Sequence, residues 1–194
     1  MPNAVASVKP LSWKPLGQAG LSLGWQALAV AVGFCVLTAS SYAEVPMQPV
    51  PITMQTLAVT VIGAIYGWRL GVLTIVAWLA AAAAGLPVLS GVTHLAEFAG
   101  PTAGYLFAFP VAGAVCGWLA ERGWDGRNLG LAFAAMLLGN LLCLAGGAAW
   151  LSVSLGVTKA IAVGVVPFLI GGLLKAAIGA VVLKGAAVIR QPRA

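Results

Sequence analysis

Apolar residues run nearly unbroken through six stretches of the chain, at about 22–41, 55–67, 70–85, 102–120, 129–150 and 162–187, and polar residues gather in the intervals. Crossing a bilayer as a helix takes about 20 apolar residues, so the pattern predicts six transmembrane helices. The second and third runs are short for that task, and only Gly67, Trp68, Arg69 and Gly71 divide them. An arginine in a tight turn sits better at the membrane surface than at the bilayer centre, which favours two helices over one.

The basic residues then test the topology. Lys9 and Lys14 precede the first run, Arg69 follows the second, Arg122 and Arg127 follow the fourth, and Arg190 and Arg193 follow the sixth. In a six-span chain all of these share one face, and Lys159 falls on the other. Basic loops stay in the cytoplasm. Both termini are therefore expected there, with a tail at 1–21, a membrane domain at 22–188 and a basic tail at 189–194. The first twenty residues hold two lysines and three prolines but no apolar core, so they read as a cytoplasmic tail and not as a cleaved signal. Three loops are expected outside, at 42–54, 86–101 and 151–161.

Composition narrows the class further. With 61% hydrophobic and 7% charged residues and a mean hydropathy of +1.03, the chain has too few polar side chains to cover a soluble globule, so most of its surface faces lipid. A net charge of +6 would suggest nucleic acid in a soluble protein. Here the cations stand singly between apolar runs, without interleaved aromatics, and no nucleic-acid partner is expected.

Cys35, Cys116 and Cys143 lie in apolar stretches without CxxC spacing and read as small packing residues. His94 and Glu97 have a spacing that could place them on one helix face, but without further ligands they read as a solvated loop pair, and no metal site is expected. Nothing matches GxxxxGK[ST], so P-loop ATP hydrolysis is not expected of this chain. No nucleophile can be paired with a base at membrane depth, so no enzyme is expected either.

The informative residues cluster in and beside the outer loops. Three segments stand out: Pro49-Val-Pro-Ile-Thr-Met-Gln-Thr-Leu-Ala-Val59, Gly85-Leu-Pro-Val-Leu-Ser-Gly91 and Gly100-Pro-Thr-Ala-Gly-Tyr-Leu106. Together they closely resemble the BioY family, the biotin-specific S components of energy-coupling-factor (ECF) transporters. The likeness runs in register from about residue 22 to 185 and includes Pro167, Phe168 and Gly171 to Lys175.

The resemblance implies an all-α integral membrane protein with the six-helix S-component fold, in the bacterial inner membrane. It implies capture of biotin from outside and import energised by a partner coupling subunit and ATPases, or by the chain acting alone. Biotin is then the transported ligand and no cofactor is expected; the other partners are membrane lipids and, as a further assembly the pattern permits, a homo-oligomer. Two departures matter. Ala103 stands where the family usually has Gly, and Gly172 stands where it usually has an Asp three residues before Lys175. That Asp is expected to touch the ureido ring, so this contact does not carry over.

Elementary chemistry supports a site at the same segments. Pro49 and Pro51 hold an extended backbone, and Thr53 and Gln55 supply the donors and acceptors a neutral ureido group needs, or Gln55 simply caps the next helix. Gly100, Pro101 and Thr102 look like a helix start whose free amides could receive polar ligand atoms. Tyr105 offers a flat face with a hydroxyl, or else anchors at the lipid interface. Lys175 lies mid-span, where a charge costs about 2.5 kcal/mol or more unless paired; its partner is the ligand carboxylate, or it snorkels or bonds backbone carbonyls. Ala27, Ala31, Cys35 and Ala39 recur every four residues in the first run and leave a smooth ridge. The resemblance makes that ridge a docking surface for the coupling subunit; internal packing is the alternative. Readings that compete with the whole are an S component for another small vitamin and a non-transporting membrane assembly subunit.

Overall fold

The computed structural model describes residues 15–18, 20–90 and 98–189. After a 3-10 turn at Leu16–Gln18 come α1 (Leu23–Tyr42), β1 (Glu44–Val45), β2 (Ile52–Thr53), α2 (Gln55–Tyr66), α3 (Trp68–Ala83), α4 (Ala103–Glu121), α5 (Leu129–Leu155), α6 (Val157–Gly164) and α7 (Val166–Ile189). Helix is the expected outcome for these runs, because a helix satisfies its backbone polar groups internally where no water can. α1, α4, α5 and α7 are long and apolar enough to cross a membrane.

α2 and α3 hold 12 and 16 residues, about 18 and 24 Å at 1.5 Å per residue, against roughly 30 Å of hydrocarbon. α2 is short because it is an interior helix: Ala58, Val59, Thr60, Ile62, Gly63 and Ala64 are all buried. The break between the two is narrower than the sequence suggests. Gly67 alone makes it, at φ 83°, a conformation natural only to glycine, and Arg69 already sits in the first turn of α3.

Two outer segments differ from expectation. Residues 151–161 do not form a loop, since α5 continues to Leu155 and α6 follows after the single left-handed Gly156; the stretch has no other helix breaker. Residues 42–54 carry a two-residue antiparallel ribbon, Glu44 opposite Thr53 and Val45 opposite Ile52, which an all-helical reading leaves out. His94 and Glu97, with Lys9, Lys14, Arg190 and Arg193, lie outside the described residues.

Charge separates along the bundle. Trp68 N–H donates to Glu121 Oε1 at 3.2 Å, and Gly126 packs on the Leu183–Lys184 backbone so closely that a Cβ would not fit. These contacts bring Arg69, Arg122, Arg127 and Lys184 to one end, where Arg69 and Arg122 also lie over the rings of Trp68 and Trp118. Arg127 binds the fully buried Asp125 at 2.8 Å, and the hydrogen bonds to that carboxylate raise its pKa above the usual arginine range. The opposite end joins Ser41 and Tyr42 to the carbonyls of Val88 and Pro87 and Ser90 to Glu44.

Interior packing relies on close backbone approach. Gly63 on α2 lies directly against the backbone of Gly113 on α4, and Gly117 against that of Trp68, so a Cβ at Gly63 or Gly117 would force the helices apart. Trp78 stacks on Phe109 with centroids 6.3 Å apart. α1 is the outlier, its spanning window only 11% buried, held by Leu37 in the core and by the Tyr66 hydroxyl donating to Ala29 O at 2.6 Å.

Candidate functional site

The chain from Pro49 to Gln55 approaches the bundle extended, pairs briefly as β2, and turns into α2 at Met54. Thr53 Oγ1 donates to Gln55 Oε1 at 2.9 Å and in turn accepts the Gln55 backbone N–H at 3.4 Å. That exchange fixes both side chains at the head of α2 and leaves the Gln55 amide nitrogen uncommitted among the described residues. Gln55 thus both ties down the helix start and faces inward; it is 8% exposed.

From α7, Lys175 reaches back to the same point. Its Nζ donates to Thr53 O at 2.5 Å and to Thr56 Oγ1 at 3.2 Å. Of the alternatives open from sequence, snorkelling is not what the structure shows, and bonding to a backbone carbonyl is. No carboxylate among the described residues lies within ion-pair reach of it.

Tyr105, one turn into α4, is buried, so it is no interfacial anchor. Its hydroxyl donates to Gly164 O at 2.5 Å, at the end of α6, and its ring lies in a slot over Gly147 that any Cβ would fill. The hydroxyl is therefore spent within the protein, and the ring, beside Phe168 at 6.1 Å, is what remains to offer. The start of α4 differs likewise from the sequence reading: Ala103 N–H is bonded to Gly100 O and Tyr105 N–H to Thr102 O, so these amides are not free for a ligand.

Thr53, Gln55, Thr102, Tyr105 and Lys175 converge on one cavity of about 60 Å³ between α2, α4, α5 and α7. Val50, Pro51, Leu106, Phe109, Leu144 and Phe168 supply an apolar wall, and Thr56, Asn140 and Gly172 complete the lining. Sequence reasoning missed Asn140 and Thr56. Asn140 had a signal, since an amide in the middle of a 27-residue apolar helix costs free energy unless it faces a cavity or another polar group.

Ala27, Ala31, Cys35 and Ala39 are all exposed on α1, so the ridge does not serve internal packing. The first three line an open apolar groove with Phe34, Leu70 and Leu73 on the flank of α1 and α3. Cys116 and Cys143 are buried, whereas Cys35 is on the surface.

Four apolar helices of spanning length, packed with two shorter ones, define a multi-pass membrane protein, and a chamber of mixed polarity lies between α2, α4, α5 and α7. Comparison with known proteins makes the class particular: the model of the BioY family matches residues 17–191, and the chain belongs to that family. It is 32% identical over 154 residues to the probable biotin transporter BioY of Pyrococcus horikoshii, covering 79% of this chain and 90% of that one. It is 40% identical over 141 residues to the biotin transporter BioY of Rhizobium etli, covering 68% and 75%. In fold it is similar to the crystal structure of an S component for biotin from an ECF-type ABC transporter, with a TM-score of 0.74, 23% identity, and 87% and 95% of the two chains covered.

Proposed function

We propose that the chain is the biotin-binding membrane subunit of a vitamin transporter, that it captures biotin from outside, and that the cavity at the head of α2 is its binding site. The observation that carries this reading is the convergence of Thr53, Gln55, Thr102, Tyr105 and Lys175 on one chamber in a chain of the BioY family. Aromatic and aliphatic walls suit the fused rings and chain of biotin, and the polar head of α2 suits its urea and carboxylate. Biotin is cargo and no bond is made or broken in it, so the chemistry required is reversible desolvation. A volume of about 60 Å³ is small beside the roughly 300–1,000 Å³ of ligand pockets, so uptake entails outward movement of part of the wall. Radiolabelled biotin is expected to bind the purified chain saturably and to be displaced by unlabelled biotin but not by thiamine or riboflavin; displacement by either of those, or no binding, would overturn the assignment.

The topology belongs to the same proposal. α1 to α5 and α7 form six spans in the bacterial inner membrane, with both termini cytoplasmic, tails at 1–21 and 189–194, and the membrane domain at 22–188. The gathering of Arg69, Arg122, Arg127 and Lys184 at one end supports this orientation. A single cysteine placed at Ser90, in a chain whose own three cysteines are alanines, is expected to react with an impermeant maleimide on intact cells. One placed at Arg122 is expected to react only after lysis, and the reverse pattern sinks the orientation. Import is energised by a coupling subunit with its ATPases, the coupling subunit docking on the Ala27, Ala31, Ala39 face, or is carried out by the chain alone.

A further inference from the structure

The polar groups of the cavity are not equally available. Tyr105 has given its hydroxyl to Gly164 O, Thr53 has given its hydroxyl to Gln55, and Lys175 has given two of its three N–H groups to Thr53 and Thr56. Lys175 still holds one donor, and Gln55 holds its amide N–H groups and a second lone pair on an Oε1 already engaged by Thr53.

Asn140 is different. It stands in the middle of α5, 3% exposed, and its Nδ2 donates to Met136 O at 2.9 Å, one turn back. Its Oδ1 accepts nothing among the described residues, while the residue itself lines the cavity. Across from it α7 presents Gly172, where even a Cβ would come no closer than 3.9 Å, to Asn140 Cβ. The bare glycine leaves space beside Asn140 and brings no side chain of its own to answer the amide. An amide oxygen kept in an apolar helix and left open to the cavity with no protein donor among the described residues is a cost the fold does not need, since leucine would fill the same position.

We propose that Asn140 is a specificity-determining residue of the binding site and that its Oδ1 accepts an N–H of the ligand, the cyclic urea of biotin, seated over Gly172. This rests on the biotin reading above. A ligand made only of acceptors, such as a simple fatty carboxylate, satisfies Lys175 and Gln55 but leaves Asn140 without a donor, so the urea N–H is what separates biotin from other apolar acids of its size.

The test compares Asn140→Leu and Asn140→Asp with the unmodified chain, each purified and assayed with biotin and with 2-iminobiotin, in which a guanidinium cation replaces the urea. Loss of the acceptor in Asn140→Leu is expected to weaken biotin about tenfold or more. Asn140→Asp keeps an acceptor at the same place and is expected to hold biotin within about threefold, while shifting preference towards 2-iminobiotin by about tenfold, because its carboxylate now faces a cation. Thermal unfolding of each variant shows whether the bundle is intact. Wild-type affinity in Asn140→Leu overturns the proposal, as does an equal loss in both variants with no change in ligand preference, which marks a role in packing alone. Failure of the unmodified chain to bind biotin overturns instead the reading on which the proposal rests, and the two failures are read from different proteins.

Discussion

Lys175→Met is expected to weaken biotin binding by roughly 10- to 150-fold, the equivalent of the 1.5–3 kcal/mol carried by a hydrogen bond to a charged group. The side chain is 8% exposed in the middle of a membrane helix, and the described structure gives it a carbonyl and a hydroxyl but no acid. Those two acceptors offset part of the cost of the ammonium and leave one N–H and a full positive charge for the ligand. Methionine keeps the length of the stem, so the cavity wall is preserved while the charge is lost. Unchanged affinity would remove Lys175 from the site and leave it as a strut that ties α7 to the head of α2. The primary amide of biotin then tells which ligand atom is held. A loss confined to the acid assigns the carboxylate, and an equal loss for acid and amide assigns the urea oxygen.

The two halves of the lysine's role explain why it was only half legible in sequence. A cation in an apolar span announces itself by its cost, but its hydrogen-bond partners belong to residues 119 and 122 positions away, and periodicity does not report contacts at that range. The same holds for Tyr105. Its place at the start of α4 is readable from Gly100, Pro101 and Thr102, yet the commitment of its hydroxyl to Gly164 depends on α6, a helix that spans the expected boundary between the outer loop 151–161 and the sixth apolar run. Residues 151–161 read as a loop because they fall between the fifth and sixth apolar runs. In the fold Gly156 breaks the helix once, and the chain resumes helical geometry because nothing else in the segment opposes it.

The long apolar elements were legible because hydrophobic length in a membrane is nearly sufficient to define a helix. Which face each helix turns inward was not, because lipid and protein interior are both apolar and a hydropathy pattern does not separate them. The glycines mark the difference after the fact: Gly63, Gly113 and Gly117 lie where helix backbones touch, and Gly147 lies under the Tyr105 ring, whereas Gly171 and Gly185 face open space. Asn140 was the polar residue whose direction could have been inferred, since an amide inside an apolar helix turns away from lipid.

Ala31→Trp is expected to abolish uptake by the assembled transporter while leaving biotin binding by the isolated chain within about twofold. α1 is poorly covered by its own bundle, and the exposed Ala27, Ala31 and Cys35 form the floor of an open apolar groove walled by Phe34, Leu70 and Leu73. Small residues every four positions allow another helix to approach to backbone contact, and association of helices within lipid depends on such packing because hydrophobic burial supplies no drive there. An indole at Ala31 fills the groove and holds an approaching helix away, a steric penalty that no adjustment of alanine neighbours relieves. The cavity is bounded by α2, α4, α5 and α7, so the same indole leaves the ligand's surroundings untouched. Val181→Trp provides the control, since Val181 is 64% exposed on α7, away from the ridge. Uptake and copurification of the coupling subunit are expected to persist in Val181→Trp and to be lost together in Ala31→Trp. If Ala31→Trp transports biotin at the unmodified rate, the α1 groove is a lipid-facing surface and docking occurs elsewhere on the chain.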